Sequence, residues 1–165
     1  MVEFDVTINT KDMYDYNIYH NYRNFNGIFG VLVGIFFLVL SVVGALSDAN
    51  ISYVLIMGFA GLYFTIITPF RMYIKSAQQV KLTPAFKKPL HYTVSDNSIE
   101  VTQDDMKAAI AFTDIFKVVD TGKSLIVYVT KARAYIFPKR ELGTQEMQLK
   151  ELFKNGLTPK QYRIK

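Results

Sequence analysis

Few side chains in this sequence have a type and spacing suited to chemistry. His20 and His91 are the only two histidines. Neither has a second ligand at metal-binding spacing, so no metal is expected. The absence of cysteine excludes thiolate metal sites, disulfides and cysteine nucleophiles. Asp104-Asp105 is a carboxylate pair, but Gln103 and Met106 flank it between two strand-like runs, the setting of a solvated turn. Asp114 reads either as a polar contact for a ligand or, preferably, as a turn residue capping backbone amides. No phosphate-binding loop, dinucleotide fingerprint, nucleophile elbow or zinc motif occurs. The expectation is a protein that is not an enzyme and needs no cofactor.

What remains is charge. The net charge is +5, and the basic excess belongs to residues 71–165. Lys87, Lys88, Lys131, Arg133, Lys139 and Arg140 form the candidate binding surface. Beside anionic lipid each such side chain contributes roughly 1 kcal/mol. The competing reading is a set of solvated charges that follow a positive-inside bias. Nucleic acid is not an expected partner, because no module signature accompanies the charge.

The elements that would position this surface begin with two hydrophobic runs. GIFGVLVGIFFLVLSVVGAL over 27–46 and ISYVLIMGFAGLYFTIITPF over 51–70 contain no charged residue. Each is twenty residues, and at about 1.5 Å per residue spans roughly 30 Å, a bilayer's hydrocarbon core. The short link Ser47-Asp48-Ala49-Asn50 predicts an antiparallel hairpin. Gly30 and Gly34, with Gly58 and Gly61 on the second helix, are the candidate packing positions, since small residues let backbones approach closely in lipid. Pro69 is expected at the membrane exit. The link has no basic residue, whereas Arg71, Lys75, Lys81, Lys87 and Lys88 follow the second run. A cytoplasmic-membrane protein with two spans and both termini cytoplasmic is therefore expected. An acidic 26-residue lead-in argues against a cleaved signal peptide.

Residues 1–26 read as a strand over 2–9 and a helix capped by Thr10, with Tyr14, Ile18 and Tyr22 on one face. Such tyrosines suit either the membrane interface or packing on the C-terminal part. Strands are expected near 78–82, 90–95, 98–103, 107–112, 115–120, 124–130 and 132–137, with Pro138 ending the last. Thr144 then caps a helix with Leu149, Leu152 and Phe153 on its apolar side, ended by Asn155-Gly156. The division expected is 1–26, a membrane hairpin over 27–70, and a mainly-β domain over 71–165 closed by one amphipathic helix. The fold class is α+β.

The order of strand, helix, hairpin and strands, with Phe112-Thr113-Asp114-Ile115 and Tyr135-Ile136-Phe137-Pro138-Lys139-Arg140, resembles the YcxB-like family of bacterial membrane proteins. That resemblance implies a C-terminal domain similar to bacterial pleckstrin-homology-like (PH-like) domains and a membrane location. It carries over no catalytic residue. The expected role is a membrane-anchored binding or scaffold protein at the inner face of the membrane, in contact with anionic lipid. The alternative is an immunity or resistance protein against a toxin or bacteriocin. The partners to be considered besides membrane lipid are a protein or peptide and a second copy of the chain.

Overall fold

The structure, a computed structural model, describes residues 1–23 and 25–164. Its elements are β1 (Val2–Val6), α1 (Thr10–Tyr22), α2 (Phe25–Leu46), α3 (Ile51–Leu62), a π-helical segment (Tyr63–Ile67) and α4 (Thr68–Leu82). There follow β2 (Leu90–Val94), β3 (Ser98–Gln103), β4 (Met106–Ala111), β5 (Lys117–Asp120), β6 (Ser124–Tyr128) and β7 (Ala134–Pro138). The short α5 (Lys139–Leu142), α6 (Gln145–Gly156) and β8 (Tyr162–Arg163) end the chain. The class is α+β. Two compact units emerge: residues 1–16 with 77–165, and residues 17–76.

The first unit is discontinuous in sequence. β1 does not stand with α1 as a separate N-terminal piece; it pairs antiparallel with β2, from Val2 opposite Val94 to Val6 opposite Leu90. The pairing follows from β1's alternation. Val2, Phe4 and Val6 are buried while Glu3 and Asp5 are exposed, so one face can join a core while the other meets water. The first sheet has the order β1-β2-β3-β4, and the second β7-β6-β5-β8. All pairs are antiparallel except β5 with β8. Pro138 closes β7, an edge strand, where a missing donor is tolerated.

One hydrophobic core joins both sheets. Phe4 meets the ring of Phe137 edge-on with centroids 5.1 Å apart, and Tyr92 meets it at 4.8 Å. From α6, Leu149 and Phe153 are fully buried in the same core. Gly156 is the last residue of α6, before an extended Leu157, and the Phe112 ring occupies the space of a side chain there: a Cβ would lie 2.4 Å from it. Thr144 precedes α6 without making a side-chain cap bond.

Two other local expectations fail for identifiable reasons. Residues 78–82 are helical, not a strand. Met72, Ser76 and Val80, at i, i+4 and i+8, are shielded, as is Ala77 beside them, a helical period. The helix stops at Leu82 because Pro84 holds Thr83 extended, at φ −86° and ψ 112°. The α1 cap is Asn9 rather than Thr10. Asn9 Oδ1 accepts from the amides of Lys11 and Asp12 at 2.9 and 3.0 Å, and Asp12 Oδ2 accepts in return from the Asn9 amide at 2.9 Å.

In the second unit α2 and α3 pack antiparallel. Ser41 donates to the Val54 carbonyl at 2.8 Å. Leu38 approaches Gly61 and Ser41 approaches Gly58. Pro69 does not end the helix, which continues to Leu82. Proline lacks an amide donor and its ring crowds the carbonyl four residues back. The π turn just before it relieves this: the Thr68 amide reaches back five residues to Tyr63 O, and Thr68 Oγ1 adds a 3.0 Å bond to the same oxygen. The unit's ends are tied by a 2.9 Å bond from Asn17 Nδ2 to Ser76 Oγ.

The four glycines singled out by sequence differ. A Cβ on Gly34 would lie 2.8 Å from Thr65 Cγ2, and one on Gly61 would lie 2.6 Å from Leu38 Cγ. On Gly58 it would meet Ser41 Oγ at 3.1 Å. On Gly30 it would meet nothing within 4 Å; Gly30 instead lines a cleft of about 260 Å³ beside Phe64, Thr68 and Met72. Overpacking a tight contact costs about 1–3 kcal/mol. Gly61→Leu and Gly34→Leu should therefore lower the midpoint of thermal unfolding in detergent, while Gly30→Leu should leave it nearly unchanged. Equal damage from Gly30→Leu and Gly61→Leu would refute this assignment.

Candidate functional site

The six basic residues divide sharply by what they touch. Lys139 lies between β7 and α6, with Nζ 2.8 Å from Asp120 and 3.0 Å from Glu146. Lys150 joins the same carboxylates at 2.9 and 2.6 Å. Arg140 pairs with Asp12, reaches the Thr7 carbonyl at 2.7 Å, and pairs with Glu141 at 3.0 Å. It ties α5 to the start of α1. Lys88 pairs with Asp104 at 2.7 Å on the surface. These three are engaged with acidic groups of the same unit. Lys87, Lys131 and Arg133 are exposed, and among the described residues none of them makes an ion pair.

Those three residues bracket a cleft. It measures about 370 Å³ and is lined by Arg133 itself, by Phe86 next to Lys87, and by Ala132 next to Lys131. Its walls are apolar: Ile8, Met13, Leu90, Val101 and Ile136. Tyr16, Tyr92, Tyr135, Gln79 and Arg133 are its polar lining residues. Among the described residues no acidic side chain lines it. Gln103 shapes one wall, since Nε2 donates to the carbonyls of Ala85 at 2.9 Å and Lys88 at 3.1 Å and so holds the turn that carries Phe86 against β3. Tyr16 shapes the opposite side. Its ring rests on Tyr128, with centroids 6.1 Å apart, and its hydroxyl donates to Ala132 O at 3.3 Å. Of the two readings of the α1 tyrosines, packing on the β domain therefore holds for Tyr16.

Tyr92, which lines the cleft, is 2 % exposed, and no group among the described residues bonds its hydroxyl. Its ring meets Tyr135 edge-on at 5.8 Å. Burial, with the neighbouring Tyr135, pushes the Tyr92 hydroxyl's pKa well above the usual tyrosine value, and burial raises those of Tyr135 and Tyr16. All three remain neutral hydrogen-bond donors at physiological pH.

Sequence reasoning missed Tyr92, Tyr135 and Met13. The available signal was a tyrosine at an inward position of an amphipathic strand, but such a residue reads equally as core until its neighbours are known. The other sequence candidates lie elsewhere. Asp104 and Asp105 form the β3–β4 turn, with Asp104 at φ 51°. His91 faces Asp5 across the β1–β2 ladder at 2.7 Å. Asp114 is exposed in a single 3-10 turn. Among the described residues no group of three or more acidic or histidine side chains is placed to hold a metal ion.

Taken together, the architecture is an α+β chain with a two-sheet domain and two helices long and apolar enough to cross a membrane, Gly27–Leu46 and Ile51–Leu82. Residues 94–153, from the last residue of β2 into α6, match the family model described as YcxB-like protein. The resemblance seen in the sequence thus holds over that stretch. No curated protein and no solved structure matches the chain.

The Asp120–Lys139–Glu146–Lys150 cluster has a pH signature. Burial alone would raise the Asp120 pKa, but hydrogen bonds from Lys139, Lys150 and the Gly122 amide more than offset it, so the carboxyl lies below its usual value. The hydrogen bond from Lys150 holds Glu146 low despite some burial, with Lys139 adding. Folded values below unfolded ones mean the cluster's contribution is complete above the unfolded carboxylate range of about 4 and is lost as pH falls through the folded values. Thermal unfolding followed from pH 7 to pH 3 should show a midpoint falling steeply below about pH 4, and Asp120→Asn should flatten that fall. An identical acid slope in the variant would contradict it.

Proposed function

We propose that this chain is a membrane-anchored binding protein without catalytic activity. Its two apolar helices span the cytoplasmic membrane, both termini are cytoplasmic, and its PH-like β domain meets anionic lipid at the inner face. The observation that carries the anchor is the exposure of large apolar side chains along both helices. Leu32 is 59 %, Phe36 58 %, Leu55 64 % and Phe59 67 % exposed. Apolar surface this extensive is not left to water by a soluble domain. The orientation rests on basic residues that follow the second apolar run, beginning with Arg71, and are absent from the 47–50 link.

The lipid contact rests on Lys87, Lys131 and Arg133, the three of the six candidate basic residues with no acidic partner among the described ones. Lys139 and Arg140 are dropped from this surface, because their charges are spent within the domain; Lys88 is partly neutralised by Asp104.

The chain lacks cysteine, so one introduced thiol reports cleanly. In intact cells an impermeant reagent should label a cysteine at Asp48 and spare one at Asn97; the opposite pattern overturns the orientation. The full chain in neutral nanodiscs should co-float with anionic vesicles and not with neutral ones, less so as salt rises. Replacing Lys87, Lys131 and Arg133 together with Gln should weaken this by about 3 kcal/mol, roughly a hundredfold. No flotation at low salt with abundant anionic lipid would refute lipid contact.

A further inference from the structure

The cleft between the sheets carries more than a surface charge. Three observations converge on it. It is a concavity of about 370 Å³, at the small end of the roughly 300–1,000 Å³ found for small-molecule sites. Tyr92 lines the cleft, is almost completely buried, and its hydroxyl has no hydrogen-bond partner among the described residues, which leaves it a donor for a ligand or water. Among the described residues Arg133 is the one charged residue lining the cleft, and its guanidinium has no carboxylate partner there.

We propose that this cleft binds a small apolar monocarboxylate, with the carboxylate held by Arg133 and the Tyr92 and Tyr135 hydroxyls and the apolar body seated against Met13, Phe86, Leu90 and Val101. The inference deepens the reading of the chain as a binding protein, but it does not require contact with a lipid surface. The chemistry selects this class over its neighbours. A guanidinium presents paired donors that match the two oxygens of a carboxylate. Neutral phenols add donors without adding charge. A cation finds no counter-charge, because among the described residues no Asp or Glu lines the cleft. A wholly apolar molecule would leave Tyr92 unbonded and desolvate Arg133. A two-chain phospholipid is too large for a cleft of this volume, so its headgroup would stay at the rim while the cleft remained open.

The chain supplies its own reporters. Its six methionines are Met1, Met13, Met57, Met72, Met106 and Met147. Met13 lines the cleft; Met57 lies in α3 of the helical unit. The full chain, carrying methyl-labelled methionine in phosphatidylcholine nanodiscs, is titrated with decanoate and separately with decanol. The two probes share a tail and differ at the head. Met57 reports partition into the bilayer, and Met13 reports the cleft.

The expected result is a saturable shift of the Met13 methyl with decanoate, at least about tenfold weaker with decanol. Arg133→Gln, an exposed change that leaves the fold in place, should weaken decanoate by a similar factor while leaving decanol unaffected. Tyr92→Phe should also weaken decanoate. The proposal is overturned if Met13 does not move. It is overturned equally if Met13 follows decanol as readily as decanoate, or if Arg133→Gln changes nothing. The nanodiscs carry no anionic lipid, so failure here leaves the vesicle result standing, and failure of vesicle binding leaves a saturable Met13 shift standing.

Discussion

Val2, Phe4 and Val6 reach the core only because β1 pairs along its whole length with β2. Everything else in the β domain leans on that ladder. It gives the first sheet its fourth strand and supplies Phe4 to the aromatic contacts with Tyr92 and Phe137. It sets the direction of the chain into α1, where Asn9 caps the helix and Arg140 grips Asp12 and the Thr7 carbonyl. The start of α1 in turn brings Met13 and Tyr16 to the cleft. Removing β1 would thus take away a wall of the site as well as a strand.

The ladder imposes a constraint on what lies between its strands. β1 and β2 are separated in sequence by the whole helical unit, and closing so long a loop from a flexible chain carries an entropic penalty that grows with its length. An ordered hairpin with adjacent ends greatly reduces it. The antiparallel contacts of Leu38 with Gly61 and Ser41 with Gly58 return the chain to its starting point, and the Asn17–Ser76 bond ties the ends. The π turn before Pro69 belongs to the same economy, because it lets one helix run unbroken from the second apolar stretch to Leu82.

How much of this was legible in the sequence follows from the range of the interactions involved. Two uncharged twenty-residue runs and the short strand-like segments separated by turn residues are local patterns, and they located the membrane helices and most strands. The helical state of 78–82 is not visible within that window, because the shielded register that Val80 continues is set by Met72 and Ser76 upstream. The basic surface was half misread. Lys139 and Arg140 looked free because Asp120, Glu146 and Asp12 are distant in sequence, and partners brought together by folding leave no spacing to read. The cleft was invisible for the same reason: Met13, Phe86, Tyr92 and Arg133 come from four separate stretches.

The central claim is that the β domain is one folding unit split by the helices, with β1 as an integral strand. Burying Val2, Phe4, Val6 and Ile8 is worth roughly 6–12 kcal/mol at about 1.5–3 kcal/mol each, an amount comparable to the whole stability of a typical domain. The direct test is a comparison of residues 77–165 alone with the same residues joined through a short flexible linker to residues 1–16, each followed by denaturant unfolding. The account predicts a cooperative transition for the joined form and none for residues 77–165 alone. A cooperative transition of equal midpoint in both would contradict it.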